Sequence, residues 1–338
     1  MTRSFLVAAL AATLFALPGS AGISPHSDCA CYDVLSIRPN GTGFRTLIGK
    51  GAWHMYDFSR KANRHLFSFG SLYSATLTGH GIRKLAEGSP QVARWSPDGK
   101  TVAFTGHDLS GKSCAVVGSI WILAADGSSG PKLAADCASY WVAWSPNSRR
   151  LAFFRWRDSK AGALVTLSLD DGRLQEIVRV EYPWDLWWSA DAEWIAYTTG
   201  YPRDRLHVVN VATGQDRDLG QAGAPAWSPG GQRLAVAERK GLSIVQPGES
   251  RRRFLDRLGG TGMSWSPSGR LIACWSTTSA RRQARVGLYV VRADGRGQRR
   301  LVTLLRKTPA AAQLDLGPIY WSRDGSRIIF ERQFAQGE

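Results

Sequence analysis

Trp95–Phe104 reads WSPDGKTVAF: an indole, a Ser-Pro, an Asp-Gly turn and a short apolar run. The chain spells this stretch again as WSPNSRRLAF from Trp144, WSADAEWIAY from Trp188, WSPGGQRLAV from Trp227, WSPSGRLIAC from Trp265 and WSRDGSRIIF from Trp321. A degraded copy, DFSRKANRHLFSF, precedes them and puts Phe58 where the indole belongs. The copies recur at intervals averaging about forty-four residues, the length of a four-stranded propeller blade.

Each copy is itself a hairpin. A strand ends in Trp-Ser, Pro and Gly supply the fixed and positive φ values of a tight turn, and an apolar strand follows. A second hairpin comes after it, clearest in GLYVVRADGRGQRRLV (Gly287–Val302), SIWILAADGSSGPKLA (Ser119–Ala134) and LHVVNVATGQDRDL (Leu206–Leu219). There β-branched runs reverse at a Gly-containing turn. One repeat is thus four antiparallel strands, a to d from the channel outward. The last motif, ending near Phe334, has no c–d half after it. YDVLSIRPNGTGFRTLI (Tyr32–Ile48) has the c-turn-d pattern and no motif before it. The expected fold is an all-β, seven-bladed β-propeller over residues 32–334, its ring closed by pairing of the N-terminal strands with the C-terminal blade. The motif tryptophans are expected to pack between blades and not to form a ligand box.

The pattern W-S-P-D-G-x-x-I-A-F followed by I-Y-V-V-x-x-D-G-x-x-x-R-R-L resembles the repeat of the TolB-like, WD-like β-propeller family, also found in prolyl-oligopeptidase-type propellers. TolB proteins carry an α/β domain before a six-bladed propeller, and the peptidases carry a hydrolase domain with a G-x-S-x-G elbow. Neither pattern is found here, so the resemblance implies a propeller alone. The repeat serves many roles and implies a fold before it implies an activity.

Residues 1–21 read as a secretory signal peptide: MTR, the apolar run FLVAALAATLFAL, then small residues Gly19 and Ala21 at a cleavage site. Residues 22–31 form a short segment before the propeller, and 335–338 a C-terminal tail. The mature protein is therefore expected to be periplasmic or secreted, where disulfides persist. Of five cysteines, Cys114 and Cys137 are expected to pair, because a b–c loop and a d–a crossover lie on the same face. Cys274 aligns with Phe104 and Phe153 and should be a buried free thiol; Cys29 and Cys31 are unassigned.

Chemistry is sparse. The chain has no H-E-x-x-H, phosphate loop or dinucleotide fingerprint, its six histidines are scattered, and no metal or cofactor is expected. Asp185, Asp204 and Glu181 read as solvated carboxylates. Function is expected on the face carrying the b–c loops and d–a crossovers. The long segments there are 106–118, 155–162, 199–205 and 275–286 between strands b and c, with 179–186 and 305–318 between d and a. Their aromatic and basic residues give the candidate binding set Trp53, His54, Tyr140, Trp156, Tyr182, Trp184, Tyr201, Arg203, Arg205, Trp275, Arg281, Arg282 and Arg285. The net charge of +16 is divided between edge protection on strand d, as at Arg251, Arg252 and Arg253, and attraction of an acidic partner. A monomer binding an acidic protein or peptide, or an anionic envelope polymer, is expected; nucleic acid is not. The alternative is a hydrolase or lyase acting on a carbohydrate or peptide at the channel mouth.

Overall fold

The computed structural model describes residues 32–333 apart from 52–53, 69, 89, 107–117, 157–160, 201–204, 250–251, 259, 281–282 and 306–316. The expected signal peptide and C-terminal tail, with Cys29, Cys31 and Cys114, lie outside the described residues. So do Trp53, Tyr201, Arg203, Arg281 and Arg282.

The described strands form seven four-stranded antiparallel blades in a ring. Blade 1 runs from His54–Ser59 to Arg83–Glu87, blade 4 from Pro183–Trp188 to Asp216–Asp218, and blade 6 from Gly260–Trp265 to Gln298–Leu305. Blade 5 lies between the last two, from Ala226–Trp227 to Arg252–Asp256. Blades 2 and 3 share one continuous strand, Lys132–Trp144. Its first half pairs with Gly118–Ala124 as strand d of blade 2, and its second half pairs with Arg150–Trp156 as strand a of blade 3. The sequence reading placed Cys137 in a crossover loop there; it lies within this strand.

Blade 7 closes the ring as expected. Tyr32–Ile37 lies between Arg45–Gly51 and Ile328–Gln333, with Leu35 opposite Phe330 and Ile37 opposite Ile328. The fold's strands therefore come from both ends of the described chain.

The turn after the motif tryptophan is built identically in blades 2 to 7, while in blade 1 Ala62 N–H bonds Ser59 Oγ instead. Each motif Ser N–H bonds the carbonyl five residues on, and its carbonyl accepts from the residue three on. Its Oγ accepts the N–H five residues on, as from Thr101 to Ser96 at 2.9 Å and from Arg327 to Ser322 at 2.9 Å. The turn closes at a residue with positive φ, Gly99 at 73° and Gly325 at 70°, where glycine meets no Cβ clash. Ser148 and Ala192 adopt the same conformation at 61° and 64° without that advantage.

Buried apolar side chains fall into clusters that each join two neighbouring blades, so the core of the protein is its blade interfaces. Trp95 packs with Leu66 and Leu72 of blade 1, Trp144 with Val92 and Ile120 of blade 2, and Trp265 with Leu242 and Ile244 of blade 5. Cys274 is a fully buried free thiol in the last of these, and burial raises its pKa to about 12. The seam between blades 7 and 1 has the smallest cluster, Val34, Phe58 and Ile329. Outer arginines bridge blades as well as guarding edges: Arg253 donates to Asp294 O at 2.6 Å, and Arg299 to Asn40 O at 2.7 Å.

Candidate functional site

The two ends of the central channel carry different chemistry. At the loop-rich end, several segments read as loops are strands. Leu174–Glu181 and Pro183–Trp188 are separated only by Tyr182, which turns the chain with a φ of 49° and accepts the N–H of Gly200 at 2.9 Å. Leu271–Ala280 and Gln283–Arg292 stay paired out to Ala280 opposite Gln283. The run read as the loop 275–286 is thus an extended hairpin, because its β-branched and small residues keep the ladder going.

The aromatic candidates near blade 4 come together. Trp184 is 61% exposed, and its ring lies 6.3 Å from that of Trp141 on the neighbouring blade. Tyr182 precedes Trp184 by two residues, and half-buried Trp156 lies on the adjacent blade, paired with Gly162, where a Cβ would stand 3.5 Å from Pro183. Both rings project from bulges in their strands, Trp141 between paired Ala138 and Val142 and Trp184 between paired Pro183 and Leu186. The other candidates do not join them. Arg205 is held by Asp218 at 2.6 Å. Trp275 is fully buried, donating to Gly317 O at 3.0 Å and packing edge-on against Phe330. Its role is therefore in the interface between blades 6 and 7, and only glycine at 262 leaves room for its ring. His54, Tyr140 and Arg285 lie within strands.

At the opposite end, where the a–b turns converge, the channel holds a cavity of about 550 Å³. Its wall includes Trp95, Trp144, Trp187, Trp188, Trp227 and Trp265, with Pro97, Pro146 and Pro229 at the rim. The motif indoles pack between blades as expected, yet their edges also form this wall. Two cations enter it, Arg60 and Arg94. Behind them lies a polar cluster. Asp57 accepts the N–H groups of Trp95 and Phe58, each at 2.8 Å, and Arg94 donates to Tyr56 O at 2.9 Å. Burial raises the pKa of Asp57 against the pull of Arg94.

Asp185, three residues before Trp188 and expected to be solvated, is half-buried. Desolvation raises its pKa to about 6, against the opposing attraction of Arg94 and an N–H from Leu186 at 2.7 Å. None of Asp57, Arg60 or Arg94 stood among the sequence candidates. Their signal was departure from the repeat: Arg60 replaces the motif Pro, and Arg94 and Asp57 occupy the position before the indole that holds Ala143, Ala226 or Ser264 elsewhere. Among the described residues, no three His, Cys, Asp or Glu side chains are grouped to hold a metal ion.

No protein-family model and no curated protein matches the sequence. Solved structures do match in fold. A protein assigned as TolB from Agrobacterium tumefaciens is 16% identical, with a TM-score of 0.56 over 91% of this chain and 100% of that one. An oligogalacturonate lyase from Vibrio parahaemolyticus is 12% identical, with a TM-score of 0.66 over 91% and 99%. A puromycin hydrolase is 16% identical, with a TM-score of 0.59 over 89% of this chain and 57% of its own. At such identities the shared property is architecture, and enzymes of different reaction classes share it. The chain is a seven-bladed β-propeller of the TolB-like fold.

Proposed function

We propose that this protein is an exported, non-catalytic propeller that binds an acidic protein or peptide partner at its loop-rich face. The observation that carries this reading is Trp184, a large exposed ring in the bulge between the paired residues Pro183 and Leu186, beside Trp141 and Tyr182. Rigid aromatic side chains lose little entropy on binding, and such residues dominate interface energetics. The net charge of +16 favours an acidic partner through long-range steering. Export rests on the N-terminal 21 residues, and a role in the cell envelope is in keeping with the TolB-like fold. The test is capture from envelope extract by the mature protein and by its Trp184→Ala variant. The partner should be retained by the first and lost by the second while both melt alike. Capture undiminished by the substitution would remove Trp184 as the anchor.

A second reading is favoured by Asp185. A half-buried carboxyl with a pKa of about 6 is suited to general acid–base work near neutrality, and the lyase and hydrolase above share the fold. On that reading the protein is a hydrolase or lyase acting on a carbohydrate or peptide in the channel.

A further inference from the structure

We propose that the a–b-turn end of the channel is a binding site for a carboxylate carried on a ring-bearing apolar body, with Arg60, Arg94 and the Trp95 indole N–H as its donors. This site lies at the opposite end of the channel from the partner surface proposed above and is independent of it.

The repeat supplies an internal control. Where Arg60 stands, four other blades have Pro97, Pro146, Pro229 and Pro267, and a fifth has Ala190. Arg94 stands where blades 3, 5 and 6 have Ala143, Ala226 and Ser264. Two half-buried guanidinium groups thus replace small or apolar residues in one cavity wall. Packing does not require them, and burying charge without a partner is costly.

Among the described residues, neither guanidinium is fully satisfied. Arg94 uses a single nitrogen, Nη1, on the carbonyls of Tyr56 and Ala93 at 2.9 and 3.3 Å. Its Nε and Nη2 have no acceptor among the described residues, and Arg60 has none for its whole head group. Asp57 offsets their charge from behind the wall, but its oxygens are taken by the N–H groups of Trp95 and Phe58. Asp185 also faces Arg94 without an ion pair.

The third donor is the most specific. In blades 3, 5, 6 and 7 the motif indole donates to the carbonyl before the motif aromatic of the preceding inner strand, or one blade's equivalent of it. Examples are Trp144 to Arg94 O at 3.1 Å and Trp265 to Ala226 O at 2.9 Å. Trp95 is 6% exposed, lines the cavity, and its Nε1 has no partner. Blade 1 has a bulge between Met55 and Asp57 at the place where the acceptor belongs. A buried donor of this kind calls for an acceptor.

Three sets of unused donors in the cavity wall, with Asp57 and Asp185 outside it, define a site for an oxyanion. Among the described residues the cavity wall carries these two guanidinium groups and no carboxylate, and a fork of N–H groups suits a carboxylate. The remaining wall, with half-buried Trp187, Trp188 and Trp227 beside Pro146 and Pro229, offers flat apolar surface. About 550 Å³ is enough for a one- or two-ring body.

The test is calorimetric titration of the mature protein with N-acetyl-tryptophan, with its neutral amide, and with a pentapeptide ending in tryptophan with a free carboxylate. The acid should bind at least tenfold more tightly than the amide. Tighter binding of the peptide names a chain end as the natural ligand; binding of the small acid alone names a free metabolite. Arg60→Gln should abolish the preference for acid over amide, and Trp95→Phe should weaken the acid several-fold with the ring retained. Arg323 occupies the same motif position in blade 7 but is exposed and outside the cavity wall, so Arg323→Gln should change nothing. Equal binding of acid and amide, no binding of any probe, or equal losses from the Arg60 and Arg323 variants would overturn the proposal.

Discussion

The indole of Trp227 donates to the main-chain carbonyl of Trp187 at 3.0 Å, tying the inner strand of blade 5 to that of blade 4. Trp265 reaches Ala226 O and Trp321 reaches Ser264 O by the same geometry. This bond explains why the repeat spells Trp and not Phe: the ring fills the interface, and its N–H satisfies a carbonyl facing the channel. Trp227→Phe, Trp265→Phe and Trp321→Phe should therefore each cost about 1 kcal/mol more than Trp95→Phe, whose N–H has no partner. Urea unfolding of the four variants makes the comparison, since ring truncation is common to all. Equal losses would assign the tryptophans to packing alone.

Ring closure rests on few apolar contacts and several polar ones. Glu331, 1% exposed on blade 7, accepts the N–H of Met55 on blade 1 at 2.6 Å, and Tyr320 donates to Tyr56 O at 3.3 Å. Glu331→Ala should cost about 2 kcal/mol, and Glu331→Gln, which keeps an acceptor oxygen, markedly less. Similar losses from both would mean that the charge, and not the hydrogen bond, holds the seam.

Deleting 32–51 removes two strands of blade 7 and exposes the edge of Ile328–Gln333. The truncated chain should lose its cooperative thermal transition, because every blade is stabilised through both neighbours. A transition unchanged in midpoint and steepness would show that blade 7 contributes nothing to the ring.

The fold was legible because each of its devices is local. A Ser-Pro turn, a positive φ three residues after the Ser and an apolar strand are written in ten letters, and seven copies remove ambiguity. Cys274 could be placed by alignment with Phe104 and Phe153 for the same reason. The strand Lys132–Trp144 was not legible: DCASYW carries no apolar alternation, and only pairing on two sides makes it continuous. Trp275 was misplaced because a long b–c hairpin and a loop have the same spacing in sequence. The channel wall was hidden for a different reason. Arg60 and Arg94 are thirty-odd residues apart and adjacent only because blades 1 and 2 meet at the channel.

His65 occupies a position that the other blades fill with Val102, Leu151, Ile195, Leu234, Ile272 and Ile328. It is 1% exposed, its Nδ1 has no partner, and burial lowers its pKa to about 4. The unfolded chain, with an ordinary imidazole near 6.5, then binds a proton that the folded chain refuses. Stability should fall as pH drops from about 6.5 toward 4, by up to about 3 kcal/mol. His65→Leu should flatten that window in urea unfolding at pH 8, 6 and 5. Parallel pH profiles for the two proteins would show that His65 is not what titrates.

Asp185 carries the opposite sign. Its folded pKa of about 6 lies above the ordinary 3.8, so the folded state holds the proton more tightly. Its contribution is favourable at low pH and is lost as pH rises through 6; at pH 8 the protein keeps a half-buried carboxylate at a net cost. Asp185→Asn, which is neutral at every pH, should therefore raise stability at pH 8 by about 1–3 kcal/mol and by less at pH 5. A residue kept against its own stability is one for which another use is expected. If the enzymatic reading holds, the same variant loses turnover of carbohydrate or peptide substrates while gaining stability. If the binding reading holds, the variant captures the partner as before, since Trp184, not Asp185, is the anchor. A variant less stable than the parent at pH 8 would remove the premise of both expectations, because the carboxylate would then be supported by its surroundings.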